Sequence, residues 1–215
     1  MPYDICLFDL DGTLTDPMLG ITGSFRHALS VFGINLATEE LIKFIGPPLR
    51  ETFMAHLGFT APDTEKAVAV YREYFENTGI YENTIYPETL GLLQKLAGSG
   101  KKLAIATSKV TRYTVRILEH FGIGGYFAYV SGDEMDGSRT KNGKREIISI
   151  ALDTLYPGRE AAAVMVGDRM HDIKGAFENG IDSIGVLWGY GTCAELKGAG
   201  ATYIAKTPQD LLRLL

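Results

Sequence analysis

Short apolar runs recur along the chain at Ile5–Phe8, Leu103–Ala106, Ala128–Val130, Ala163–Val166 and Ser183–Val186, each closed by polar residues or glycine. Runs that are apolar at nearly every position, rather than at alternate ones, belong to strands covered on both faces. Between them the apolar residues take helical spacing: Leu90, Leu93 and Leu96; Val115, Leu118 and Phe121; Ile147, Ile148, Ala151 and Leu155; and a last turn at Leu211, Leu212 and Leu215. Repeated strand and helix leave few packings, and the one expected is a parallel, doubly wound sheet joined by right-handed crossovers.

One stretch breaks that rhythm. From Asp16 to Asn83 the pattern is helical throughout, with Phe25, Ala28, Leu29 and Phe32 on one face and Val68, Tyr71, Tyr74 and Phe75 on another. Gly46-Pro47-Pro48 reads as an internal corner, and Tyr86-Pro87-Glu88 as the return to the sheet. The expected architecture is α/β: a Rossmann-like core formed by residues 1–15 and 84–215, with a small α-helical domain inserted at 16–83. Apolar residues make up 46% and charged residues 22%, which excludes a disordered chain. The formal net charge of -5, with lysines and arginines scattered, argues against a nucleic acid polymer as partner. Cys6 and Cys193 stand far apart and read as thiols, so a reducing cytoplasm is the expected compartment. No signal-peptide pattern and no apolar run of about 18 residues is seen, so no membrane partner is expected. A monomer is the default state, and a homodimer is compatible with the sequence.

The segment Asp9-Leu10-Asp11-Gly12-Thr13 ends the first apolar run. Two carboxylates two residues apart at the C-terminal edge of a strand face the crevice where open α/β sheets bind ligands. Close carboxylates repel unless a cation or hydrogen bonds compensate, which points to Mg²⁺ or to chemistry that uses the difference in protonation. Gly12 permits a tight exit that leaves N–H groups free to receive an anion. The second run ends in Thr107-Ser108-Lys109, where a hydroxyl and exposed N–H groups suit phosphate oxygens. The fourth enters Gly167-Asp168-Arg169-Met170-His171-Asp172, with two more acids at the same edge. Lys141 and Lys144 precede the helix at Glu146-Ile147-Ile148, where a fixed ammonium would neutralise a nucleophilic carboxylate. His56 and His171 read as bystanders, and the aromatic residues at 71–75 as helical core.

With these four elements in this order, the chain resembles the haloacid dehalogenase superfamily of phosphohydrolases, over essentially its whole length. The resemblance implies that Asp9 is a nucleophile forming an aspartyl-phosphate, and that Asp11 is the general acid and then the base. It implies Mg²⁺ held by the Asp9 carboxylate, the Asp11 backbone carbonyl and Asp168, with Asp172 in support. Thr107 and the Ser108 N–H would hold phosphate oxygens; Lys144 takes the family's lysine position, with Lys141 as its alternative. The 16–83 segment resembles the helical cap of one branch of the superfamily, with Arg50 in its substrate-facing loop. Tyr3-Asp4-Ile5 and Leu187-Trp188-Gly189-Tyr190-Gly191-Thr192 resemble the phosphoglycolate phosphatase and 5′-nucleotidase-like group. The expected activity is Mg²⁺-dependent hydrolysis of a small phosphorylated metabolite, a 5′-nucleotide or phosphoglycolate. A phosphosugar mutase or a phospho-accepting signalling module are the alternatives on the same scaffold.

Overall fold

The structure, a computed structural model, describes residues 3–141, 143–158 and 162–215. Residues 1–2, assigned above to the first core segment, lie outside it. The chain runs through β1 (Ile5–Phe8) and β2 (Thr15–Asp16), then the helices α1 (Met18–Ser30), α2 (Thr38–Leu41), α3 (Leu49–Glu51) and α4 (Ala61–Tyr74), and returns at β3 (Thr84–Ile85). From there it alternates: α5 (Thr89–Gly98), β4 (Lys102–Val110), α6 (Thr111–His120), β5 (Phe127–Asp133), α7 (Arg145–Leu155), β6 (Ala163–Gly167), α8 (Met170–Glu178), β7 (Asp182–Val186), α9 (Cys193–Gly198), β8 (Tyr203–Ala205) and α10 (Pro208–Leu214).

Six strands form one sheet in the order β5-β4-β1-β6-β7-β8, with every neighbouring pair parallel. The chain builds outward from β1 to β5, then crosses back to β6 and builds the other way. The ends of β1, β4 and β6 therefore flank the topological switch, where such sheets open a crevice. The pleat explains the apolar runs. Ile5 and Leu7 pack with Ile147, Ile148 and Ala151 of α7 on one face, whereas Cys6 and Phe8 pack with Leu93 and Leu96 of α5 on the other. The chain is α/β with the Rossmann-like order that the strand and helix alternation implies.

Several details differ from the sequence reading. β4 does not stop at Ala106 but continues to Val110, with its pairing to β5 slipping between Ala106 and Val110. That irregular ladder carries Thr107, Ser108 and Lys109. On α6 the buried face is Tyr113, Thr114, Ile117 and Leu118, and Val115 is exposed, because the 115/118/121 spacing tracks the edge of the stripe rather than its centre. Leu90 is likewise exposed while Leu92, Leu93 and Leu96 are buried. The edge strand β8, three residues long, had too little pattern to be read.

The helical segment is joined to the sheet through a short antiparallel ribbon, Thr15 against Ile85 and Asp16 against Thr84. Its own core centres on Phe25, whose ring lies 5.0 to 5.6 Å from those of Tyr71, Phe53 and Phe44. The Thr60 side chain accepts the Asp63 N–H and starts α4, with Pro62 in its first turn. No helix among the described residues is long and apolar enough to cross a membrane.

Phe25→Ala removes the ring on which three others converge, so it is expected to cost about 3–5 kcal/mol in urea unfolding. Cys6 is fully buried, and burial pushes its thiol up to about 11. A thiol reagent at neutral pH is therefore expected to label Cys193 alone in the folded protein and both cysteines after denaturation; rapid labelling of Cys6 in the native state contradicts this packing.

Candidate active site

The site is assembled at the C-terminal ends of β1, β4 and β6, where one lysine pairs with two acids and a third lies close by. Asp9 follows β1 and is 3% exposed. Its Oδ1 accepts the Leu10 N–H at 2.8 Å and its Oδ2 lies 2.8 Å from Nζ of Lys144. Lys144 stands at the N-cap of α7, and its side chain is 1% exposed. The same Nζ lies 2.5 Å from Oδ1 of Asp172, in the first turn of α8. Asp172 turns its other oxygen back to accept the Arg169 N–H at 3.0 Å, which fixes both the helix start and the carboxylate. Asp168, fully buried, accepts the Tyr190 N–H at 2.7 Å.

Carboxylate oxygens of Asp9, Asp168 and Asp172 lie within 4.8 Å of one another. One ammonium does not balance three buried acids. Burial, then the charges of Asp172 and Asp9, push Asp168 up to about 8. Burial also raises Asp172, against the pull of Lys144. For Lys144 burial works to lower the pKa, but Asp172 and Asp9 outweigh it, and the net shift is upward. The donor set is all oxygen and all carboxylate, the chemistry that hard divalent cations prefer. These residues fit a cation such as Mg²⁺.

Asp11 is buried, and its Oδ2 pairs with Nζ of Lys109 at 2.8 Å while its Oδ1 has no partner among the described residues. Burial raises its pKa, opposed by Lys109. The Lys109 ammonium sits 4.4 Å from the centroid of the Phe75 ring, which belongs to the helical segment. Core and insertion thus meet at Asp11.

The remaining predicted residues take distinct places. Thr107 is buried, and Oγ of Ser108 is buried without a partner among the described residues. Gly12 has φ of +82°, and a Cβ there would land on the Asp168 carboxylate. Its N–H is not free for an anion, as expected above, because it closes the loop onto the Thr15 carbonyl at 2.8 Å. Lys144, not the exposed Lys141, stands among the acids. Arg50 lines the same cavity of about 420 Å³ as Asp9 and Asp11, but its guanidinium is held by Glu65 at 2.6 and 2.9 Å and by the Met135 carbonyl at 3.3 Å. His171 is kept neutral, pushed down to about 4 by burial first and then by Lys144 and Arg169.

Three features escaped the sequence. Lys109 directly follows Thr107-Ser108, and a lysine at a strand end opposite an acid pair was its visible signal. Arg72 on α4 lines the cavity, and nothing distinguishes it in sequence from the other charges of that helix. The loop after β7 wraps the acids: the Trp188 indole donates to the Thr13 carbonyl at 3.0 Å, and the Tyr190 hydroxyl donates to Asp16 in β2. A Cβ on Gly189 would strike Gly12 and Asp168, and one on Gly191 would strike the Asp168 backbone, which accounts for the glycines on either side of Tyr190.

Comparison with known proteins gives the chain its relatives. A 5′-nucleotidase of Pseudomonas aeruginosa is 43% identical over 202 residues, covering 94% of this chain and 90% of that one. The tyrosine-protein kinase PtkA of Mycobacterium tuberculosis is 43% identical over 189 residues, covering 87% of this chain; the match spans 63% of PtkA. A solved structure of a predicted phosphatase from Clostridium acetobutylicum superposes with a TM-score of 0.95 at 40% identity, covering 100% of this chain and 98% of that one. The family described as haloacid dehalogenase-like hydrolase matches residues 6–186, from the strand that carries Asp9 to the strand before the Trp188 loop, and the chain belongs to that family of enzymes.

Proposed function

We propose that this phosphatase hydrolyses phosphomonoesters of small metabolites, 5′-nucleotides or phosphoglycolate, with Mg²⁺ and through an aspartyl-phosphate on Asp9. The observation that carries the reading is the buried cluster of Asp9, Lys144, Asp172 and Asp168, from which Asp9 lines, together with Asp11, Thr107 and Ser108, one cavity. The 5′-nucleotidase relative supports a nucleotide as one substrate class.

The Asp9 carboxylate is anchored on both oxygens, by Leu10 N–H and by Lys144, so it is held in one orientation toward the cavity. Its oxygen attacks phosphorus and the ester P–O bond breaks. Asp11 gives its proton to the departing alkoxide, which leaves as the alcohol. Water then loses a proton to Asp11 and attacks the same phosphorus, the bond to Asp9 breaks, and inorganic phosphate leaves. Thr107 and Ser108 receive phosphoryl oxygens; the unpartnered Ser108 hydroxyl is free to donate one hydrogen bond. A divalent cation on Asp9, Asp168 and the Asp11 carbonyl, with Asp172 in support, would neutralise phosphoryl charge and polarise the phosphorus centre. The helices between β2 and β3 act as a cap that keeps bulk water from the acyl phosphate.

Lys109 holds the Asp11 carboxylate in place, and Phe75 stacks on Lys109 from the cap side. The general acid is therefore positioned by a residue that itself touches the cap.

Phosphate release from p-nitrophenyl phosphate, nucleoside 5′-monophosphates and 2-phosphoglycolate should require Mg²⁺ and stop with EDTA. Asp9→Asn should lose on the order of 10⁴-fold in kcat, and Asp11→Asn about 10²–10⁴-fold, with circular dichroism unchanged. Full activity in either variant removes the assigned role. Lys109→Met should lower kcat about 10–100-fold with little change in KM, since it frees the acid without touching the phosphate site. A rise in KM alone would make Lys109 a substrate contact instead.

A further inference from the structure

The cavity that holds the acids contains a cation with nothing to bind. Arg72 lines it from α4 and is half-buried, yet among the described residues it has no hydrogen-bond or ion-pair partner. Acids stand near enough to feel its charge, namely Glu65 and Asp133, but both are spent. Both Glu65 oxygens are taken by Arg50. Asp133 accepts the Glu134 N–H at 2.8 Å, the Arg139 N–H at 3.1 Å and the Thr140 hydroxyl at 2.6 Å. The other cations of the cavity differ from Arg72. Arg50 is forked onto Glu65, Lys109 is paired with Asp11, and Lys141 is exposed. Burial pushes the Arg72 guanidinium below its ordinary pKa, the direction expected of a charge short of compensation.

Partial desolvation of an unpaired guanidinium is unfavourable, and a planar fork of donors is best satisfied by an oxyanion. Much of the remaining wall is apolar, including Ile21, Phe25, Phe44, Tyr71 and Phe75. At about 420 Å³ the cavity has the size and lining that take a ring-bearing ligand with a few fixed polar contacts.

We propose that Arg72 is a specificity-determining residue, and that the preferred substrates are phosphomonoesters whose leaving group combines an apolar ring with a second oxyanion, which Arg72 binds. This rests on the phosphatase reading, and it ranks esters that carry both a ring and a second anion above those, such as the substrates proposed above, that carry only one of the two. The phosphate goes to Asp9, Thr107 and Ser108, the ring to the aromatic wall, and the second anion to the guanidinium. The subsite differs from the Arg50 contact expected from the sequence, because Glu65 already occupies that side chain.

The matched probes are phenyl phosphate and 4-carboxyphenyl phosphate, which differ only by the second anion, assayed with the whole chain and Mg²⁺. The native protein should favour the carboxylate ester by at least tenfold in kcat/KM, mainly through KM. Arg72→Met should bring that ratio close to one, and Arg72→Lys should keep part of it, since it retains the charge but not the fork. A native ratio near one overturns the proposal. So does Arg72→Met with the ratio intact, or with an equal loss on both esters, which would make the residue structural. Release from neither ester, nor from p-nitrophenyl phosphate, nucleoside 5′-monophosphates or 2-phosphoglycolate, defeats the phosphatase reading itself, and the subsite with it; release from those substrates but from neither ester, or from phenyl phosphate without preference, defeats the subsite alone.

Discussion

A single buried ammonium joins two acids that come from different parts of the chain. Nζ of Lys144 reaches Asp9 at the end of β1 and Asp172 at the start of α8, with its side chain 1% exposed. Without it, two carboxylates would sit together in a low-dielectric interior, where their repulsion is far larger than in water. With it, the start of α7 is drawn against the sheet edge, and α8 must come close alongside. Gly175 shows how close: a Cβ there would stand 3.0 Å from the Cβ of Lys144. The ion pair and the helix packing are one arrangement, and neither side chain can be changed without consequence for the other.

The doubly wound sheet was legible because its strands are covered on both faces, which leaves an unbroken apolar run such as Ile5–Phe8 that few other settings produce. Lys144, at the start of α7, was singled out by the family resemblance, and Asp9, Asp11 and Asp168 were legible for a reason related to the apolar runs. A charged residue that closes an apolar strand is carried by the strand to a fixed place. Partnership was much harder to read. Arg50 and Arg72 are both arginines of the helical segment, and only the fold reveals that Glu65 claims one and leaves the other. Gly12 was read as an open anion site because its φ was foreseen but not the carbonyl of Thr15, three residues on, that takes its N–H. The phase of α6 failed more simply: two apolar residues on the rim of a stripe look like its centre when Tyr113 and Thr114 are not counted as buried.

The helical segment has its own aromatic core, yet the same residues that build it also wall the cavity. Phe25, Tyr71 and Phe75 are each under 10% exposed and face the acids as well as one another. Stability of the segment and shape of the cavity therefore draw on the same rings. Phe75 goes further, since its face carries the Lys109 ammonium that holds Asp11. A cation against an aromatic face is a modest interaction, but it crosses the boundary between the two parts of the molecule and ends at the acid pair.

The loop after β7 carries the one tryptophan of the chain. Its indole N–H is fixed to the Thr13 carbonyl, the adjacent Tyr190 N–H holds Asp168, and the Tyr190 hydroxyl holds Asp16 where the ribbon to the helices begins. One short loop thus touches the acid cluster and the ribbon that leads into the helical segment together. The protein carries a native fluorophore at the junction of its buried charges and its helical segment, with no second indole elsewhere to obscure the emission, so binding at the acids can be followed optically in the unmodified chain.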